Sequence, residues 1–176
     1  MKKIALTGIV LALAHMLASQ QPVPSASLDS LKFLVGKWIG EGSGEVGTGS
    51  GYFTFESALQ GKALVRKNQA EYPATKDRPA YIHDDLMILY VEPATKQLLA
   101  FYTDNEGHVI NYTVSVSSDG KSIVFLSEPQ AAGPGYRLTY VMTEQGKMSL
   151  TFEVAPTGKQ FQKFIEGKVR KSADLN

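Results

Sequence analysis

The sequence predicts an all-β protein: an antiparallel ten-stranded up-and-down β-barrel with a short N-terminal helix. Three observations carry that prediction. Ten short runs rich in Val, Ile, Tyr, Phe and Thr follow one another along the chain. Turn residues separate them, with Asp119-Gly120 the strongest hairpin signal and Gln145-Gly146 and Thr157-Gly158 next. No helical segment is long enough for βαβ crossovers, so the strands must pair antiparallel. A meander of this length has two unpaired edges unless its first and last strands meet, and closure removes both. A two-sheet sandwich is the alternative.

The chain divides into residues 1–26, a signal peptide and linker; residues 27–171, the barrel domain; and residues 172–176, a C-terminal tail. Lys2 and Lys3 precede a mostly apolar run from Ile4 to Ala18, and the polar segment "SQQPVPSAS" follows. This is the layout of a secretory leader, and the run is too short to cross a bilayer comfortably. The expected location is therefore exported, periplasmic or extracellular, with no membrane anchor once the leader is removed. Ser27 is the N-cap of the one short helix, whose apolar residues Leu28, Leu31, Phe33, Leu34 and Val35 recur at near-helical spacing before Gly36 ends it. Strands are expected at 37–44, 50–59, 62–71, 85–92, 97–104, 108–117, 121–127, 136–143, 147–155 and 161–170.

Composition narrows the function. The 176 residues carry a formal charge of +1, which gives no footprint for nucleic acid. There is no cysteine, which removes disulfides, thiolate metal sites and a thiol nucleophile. The glycine-dense stretch "GSGEVG" at Gly42–Gly47 fits G-x-G-x-x-G, but a dinucleotide fingerprint needs a helix after its glycines. "GYFTFESAL" follows and reads as a strand, so the glycines are expected to form a wide hairpin at a barrel corner.

The segment "LKFLVGKWIGEGSG" places Gly36-Lys37-Trp38 just after the short helix. Together with the closing segment "YRLTYVMTEQGKMSLTFEVAPTGKQFQKFIEGKVRK", it resembles the calycin superfamily, and in particular the exported bacterial barrels related to nitrobindin. The resemblance implies a barrel with a ligand-holding interior. It also implies a structural latch in which Trp38 near the barrel floor is covered by Arg170 from the last strand. Nitrobindin-like barrels hold haem through a histidine in the C-terminal part, and this chain has none after His108. Haem thus stands as an alternative that would need His83, His108, Met142, Met148 or a tyrosine to substitute, and no cofactor is expected.

No catalytic residue and no metal site emerge. His83-Asp84-Asp85 has no second histidine at a ligand spacing and reads as a solvated turn before strand 85–92. Glu153 and Glu166 form a possible carboxylate pair but read as solvated strand positions. An enzyme has only the long 72–84 connection in its favour, as a lid. The expected function is binding of a small, largely apolar molecule inside the barrel, with a solidly packed structural barrel as a further alternative. Period-two alternation puts Tyr136, Leu138, Tyr140 and Met142 on one face, Met148, Leu150, Phe152 and Val154 on another, and Ile110, Tyr112, Val114 and Val116 on a third; these faces are assigned inward. The candidate ligand-binding residues are Arg66, Tyr102, Tyr112, Tyr140 and Phe152, with Arg66 meeting an anionic head group and the tyrosines offering a broad ring and one hydroxyl each.

Overall fold

The structure, a computed structural model, describes residues 27–41, 50–128 and 133–173. The expected leader, the Gly42–Gly47 motif and the last three residues of the tail lie outside the described residues. A 3-10 helix, Leu28–Leu34, opens the fold, with the Ser27 side chain accepting from the Asp29 amide. Ten strands follow: β1 (Gly36–Gly40), β2 (Ser50–Ala58), β3 (Ala63–Tyr72), β4 (Tyr81–Val91), β5 (Leu98–Asp104), β6 (Val109–Val116), β7 (Ser122–Ser127), β8 (Gly135–Glu144), β9 (Lys147–Ala155) and β10 (Gln162–Lys171). Each pairs antiparallel with its sequence neighbours, and β1 closes on β10. The sandwich alternative is excluded, because one continuous ladder joins all ten strands.

The turn chemistry acts where the sequence places it. Gly120, Gly146 and Gly158 all take positive φ, the region glycine enters at no steric cost. β2 follows β1 and pairs with it, so the glycine motif between them precedes a strand rather than a helix N-terminus. Strand limits match the expected ones closely except for β1, which ends at Gly40 rather than at 44, and for β4. It begins at Tyr81, so His83 and Asp84 are strand residues rather than the expected solvated turn.

Alternation sets the two faces. Trp38 lies opposite Phe53, Phe55 opposite Arg66, Met87 opposite Tyr102, Ala100 opposite Tyr112, Val114 opposite Phe125, Leu138 opposite Phe152 and Val169 opposite Met148. These residues share the inner face. Between Lys163 and Ile165 the β9/β10 register shifts, a bulge that bends the last strand and resets its parity.

The two ends of the barrel differ. Leu31 and Leu34 of the helix are fully buried, and they seal the end that also holds Trp38, Leu89, Ile123 and Met148. The indole Nε1 of Trp38 donates to the Leu34 carbonyl at 2.7 Å, tying the helix to the wall. At the other end the inward-facing Tyr102, Tyr136, Leu150 and Phe152 are only half-buried. Val91, Val116 and Met142 at the helix end are half-buried too, but among the described residues no helix lies at the second end, which is called the open end below.

Candidate functional site

The interior is an aromatic ladder. Trp38 stacks on Phe53 with centroids 6.4 Å apart, and Phe53 meets Phe55 at 5.8 Å and Tyr140 at 5.7 Å. Tyr140 meets Phe125 at 5.9 Å, Phe125 meets Tyr112 at 6.1 Å, and Tyr112 meets Tyr102 at 6.3 Å. Most of these are edge-to-face contacts, the arrangement that ring quadrupoles favour. The ladder runs from the sealed end, across the barrel, towards the open end.

Arg66 interrupts this apolar wall. It projects inward from β3, is 7% exposed, and sets its guanidinium over the Phe53 ring at 5.2 Å. Asp85, from the neighbouring strand, pairs with Arg66 Nη1. Its second oxygen accepts from Asn68 Nδ2 at 2.9 Å and lies 3.3 Å from His83 Nε2. Burial works against the Arg66 charge, but the Asp85 carboxylate and the tyrosines around it outweigh burial and hold the guanidinium protonated. Burial pushes the hydroxyls of Tyr102, Tyr112 and Tyr140 above the ordinary tyrosine value, so all three stay neutral.

A chain of polar contacts leads from Asp85 towards the open end. His83 Nδ1 lies 3.0 Å from Glu106, and the hydrogen bond to Asp85, opposed by burial and aided by Glu106, raises the imidazole to about 9. The Tyr102 hydroxyl donates to Asp104 at 3.0 Å, and His108 Nδ1 reaches the same carboxylate at 2.8 Å. Sequence reading missed Asp85, Asn68 and His83 as one cluster. The signal was present in the alternation: Asp85 shares the parity of Met87 and Leu89, which are buried.

Four of the five candidate ligand residues converge. Arg66, Tyr102, Tyr112 and Tyr140 face one another across the barrel, close enough for the Arg66 charge to be felt at each hydroxyl. Phe152 faces inward on the opposite wall, stacked on Tyr136 with centroids 6.0 Å apart. Arg66 differs from expectation in one respect: it is not a spare charge awaiting an anion, because Asp85 already neutralises it.

The latch expectation requires a correction. Arg170 lies opposite Ile39 on the outer face, half-exposed, with Nε 3.8 Å from Glu41. The cation on Trp38 is Lys171, whose Nζ is 5.5 Å from the ring centroid and donates to the Phe33 carbonyl at 3.2 Å. Val169 and Lys171 point inward after the bulge, so Arg170 between them must point out. The Glu153 and Glu166 pair does not form either: Glu153 takes Arg137 through two bonds of 2.5 and 2.6 Å, and Glu166 takes Lys163 at 2.5 Å.

Three of the residues offered for haem are engaged elsewhere. Both His83 nitrogens face carboxylates, His108 is held by Asp104, and Met148 is packed at the sealed end. Among the described residues no group of three or more acidic or histidine side chains is arranged to hold a metal ion. A depression of about 430 Å³ is lined by Tyr52, Lys67 and Leu86 together with Asn68, Asp85 and Asp104 of the polar cluster. No protein-family model matches the chain, and no curated protein matches it.

Proposed function

We propose that this chain is an exported calycin-like barrel that carries a small, largely apolar molecule in its interior, entered from the end opposite the helix. The asymmetry of the barrel carries the reading: the Leu28–Leu34 helix packs Leu31 and Leu34 into one end, no helix among the described residues covers the other, and the inward Tyr102, Tyr136 and Phe152 there are half-buried. A molecule entering there meets the rings of Tyr136 and Phe152 first and the Tyr102, Tyr112 and Tyr140 wall beyond. Aromatic and aliphatic walls with few polar groups are what such ligands require. The closed antiparallel ten-strand barrel and the Gly36-Lys37-Trp38 start support the calycin likeness, and the Lys2-Lys3 and Ile4–Ala18 pattern supports export.

The test is uptake of Nile red, a neutral dye that brightens in apolar surroundings. The wild-type protein is expected to bind it saturably, and Tyr112→Trp and Tyr140→Trp to bind it more weakly while keeping a native circular dichroism spectrum. A wild type that leaves the dye dark, or two variants that bind it like wild type, overturns the interior-carrier reading. Full-length protein recovered from the cytoplasm on cell fractionation overturns export alone.

A further inference from the structure

The depression of about 430 Å³ at Tyr52, Lys67 and Asp84 adjoins a second one of about 260 Å³ at Lys37 and Glu71, and the two share Tyr52 and Gln69. The side chains that line them alternate with inward ones. Tyr52 precedes the buried Phe53, Lys67 follows the buried Arg66, and Asp84 and Leu86 flank the buried Asp85. Tyr52, Lys67, Gln69, Asp84 and Leu86 therefore project from the outer wall. Tyr52 stands where the two hollows meet and is 38% exposed. Lys37 Nζ lies 4.2 Å from its ring centroid and covers one face of the ring. No aromatic side chain among the described residues stacks on the other face.

The lining selects the ligand class. Lys37 and Glu71 line the smaller hollow, and Lys67 and Asp84 the larger. Opposite charges side by side give neither an anion nor a cation a net attraction. Asp85 and Asp104 also border the larger hollow, but Arg66 holds the first, and Tyr102 and His108 hold the second. Gln69 Nε2 donates to Asp84 Oδ1 at 3.2 Å, which fixes the pair and leaves the second amide hydrogen and the second carboxylate oxygen to a ligand. Lys67 has no ion pair among the described residues. An ordered amide, a carboxylate and an ammonium beside an aromatic ring suit sugar hydroxyls, each of which both donates and accepts. Charged partners strengthen such bonds, and the C–H face of a sugar ring packs on the electron-rich face of a tyrosine. Apolar ligands need the opposite, an enclosed site with few polar groups.

We infer that this outer groove is a second binding site, for a neutral oligosaccharide, with Tyr52 as its stacking platform and Lys67, Gln69 and Asp84 as its hydrogen-bond partners. The site is separate from the barrel interior and does not depend on what the interior holds. The test is isothermal titration calorimetry with cellohexaose, maltohexaose and chitohexaose. At least one of the three is expected to bind the wild type with a Kd at or below about 1 mM. Tyr52→Ala is expected to weaken that binding about tenfold or more while keeping a native circular dichroism spectrum, and Tyr52→Phe, which keeps the ring, to stay within about threefold. Gln69→Ala is expected to cost about three- to tenfold. Phe164→Ala removes an exposed ring on β10, away from the groove, and should leave binding within about twofold. Uptake of Nile red is expected to be the same with the sugar bound. No binding of any of the three hexasaccharides, or a Tyr52→Ala protein that binds like wild type, overturns the site. A hexasaccharide that displaces Nile red puts the sugar in the interior and overturns it as well.

Discussion

Lys171 Nζ lies 5.5 Å above the Trp38 ring centroid and at the same time donates to the Phe33 carbonyl. One side chain of the last strand thus joins the first strand and the N-terminal helix, where the barrel closes. Lys171→Ala is expected to cost about 1–2 kcal/mol in urea unfolding, from the lost cation–π contact and hydrogen bond. Arg170→Ala, on the outer face, should stay within about 0.5 kcal/mol. The reverse order of these two costs would return the latch to Arg170.

The buried pair makes a second prediction. Asp85→Ala removes the ionic partner of Arg66 and strands a charge in an aromatic interior. A cost of about 3–5 kcal/mol is expected. Combining Arg66→Met with Asp85→Leu removes both charges and should recover much of that loss. If the double variant is less stable than Asp85→Ala alone, the cost lies in packing rather than in charge.

Register explains what could and could not be read in the sequence. The ten strands and the inner faces of β6, β8 and β9 were legible, because each turn carries its own chemistry and alternation needs no partner. The Arg66–Asp85 pair was not, since it joins residues 19 apart and only the β3/β4 register places them on adjacent inner positions. The latch failed by one residue. A single step along a strand reverses the face, and the bulge between Lys163 and Ile165 hides the parity of β10 from a simple count. Val169 held the missing signal, for an inward valine forces its neighbour Arg170 outward.

His83 gives the protein a pH dependence of known sign. Its folded value, about 9, is above the ordinary 6.5, because the imidazolium is held by Asp85 and Glu106. The stabilisation is complete below pH 6.5 and is lost as pH rises through about 9. Stability should therefore fall by about 1–2 kcal/mol between pH 6.5 and 10, allowing for screening at a partly exposed group, and His83→Gln should flatten that fall. An imidazole titration followed by NMR with a midpoint near the ordinary value would remove the ion-pair account of His83.

Gly51 makes the fourth prediction. A Cβ there would stand 2.4 Å from the Gln69 carbonyl oxygen and 3.0 Å from the Ala70 Cα, both backbone atoms of the paired strand. Backbone cannot rotate away as a side chain can, so Gly51→Ala is expected to destabilise by about 1–3 kcal/mol in thermal or urea unfolding. Gly120→Ala, at a turn with φ 69° and open space around it, should cost only the left-handed conformational penalty of about 1–2 kcal/mol. A Gly51→Ala protein as stable as wild type would mean that β2 and β3 are not so closely apposed.

The central claim, that the ligand lies inside the barrel near Arg66, is tested most directly by NMR of protein with ¹³C-labelled methionine methyls during a Nile red titration. Met87 pairs across the sheet with both Arg66 and Tyr102 and is fully buried, whereas Met148 is packed near the sealed end. Interior binding predicts a saturable shift of the Met87 methyl, larger than that of Met148, which disappears in Tyr140→Trp. A Met87 methyl that stays fixed while Nile red saturates the protein would place the ligand elsewhere and contradict the account.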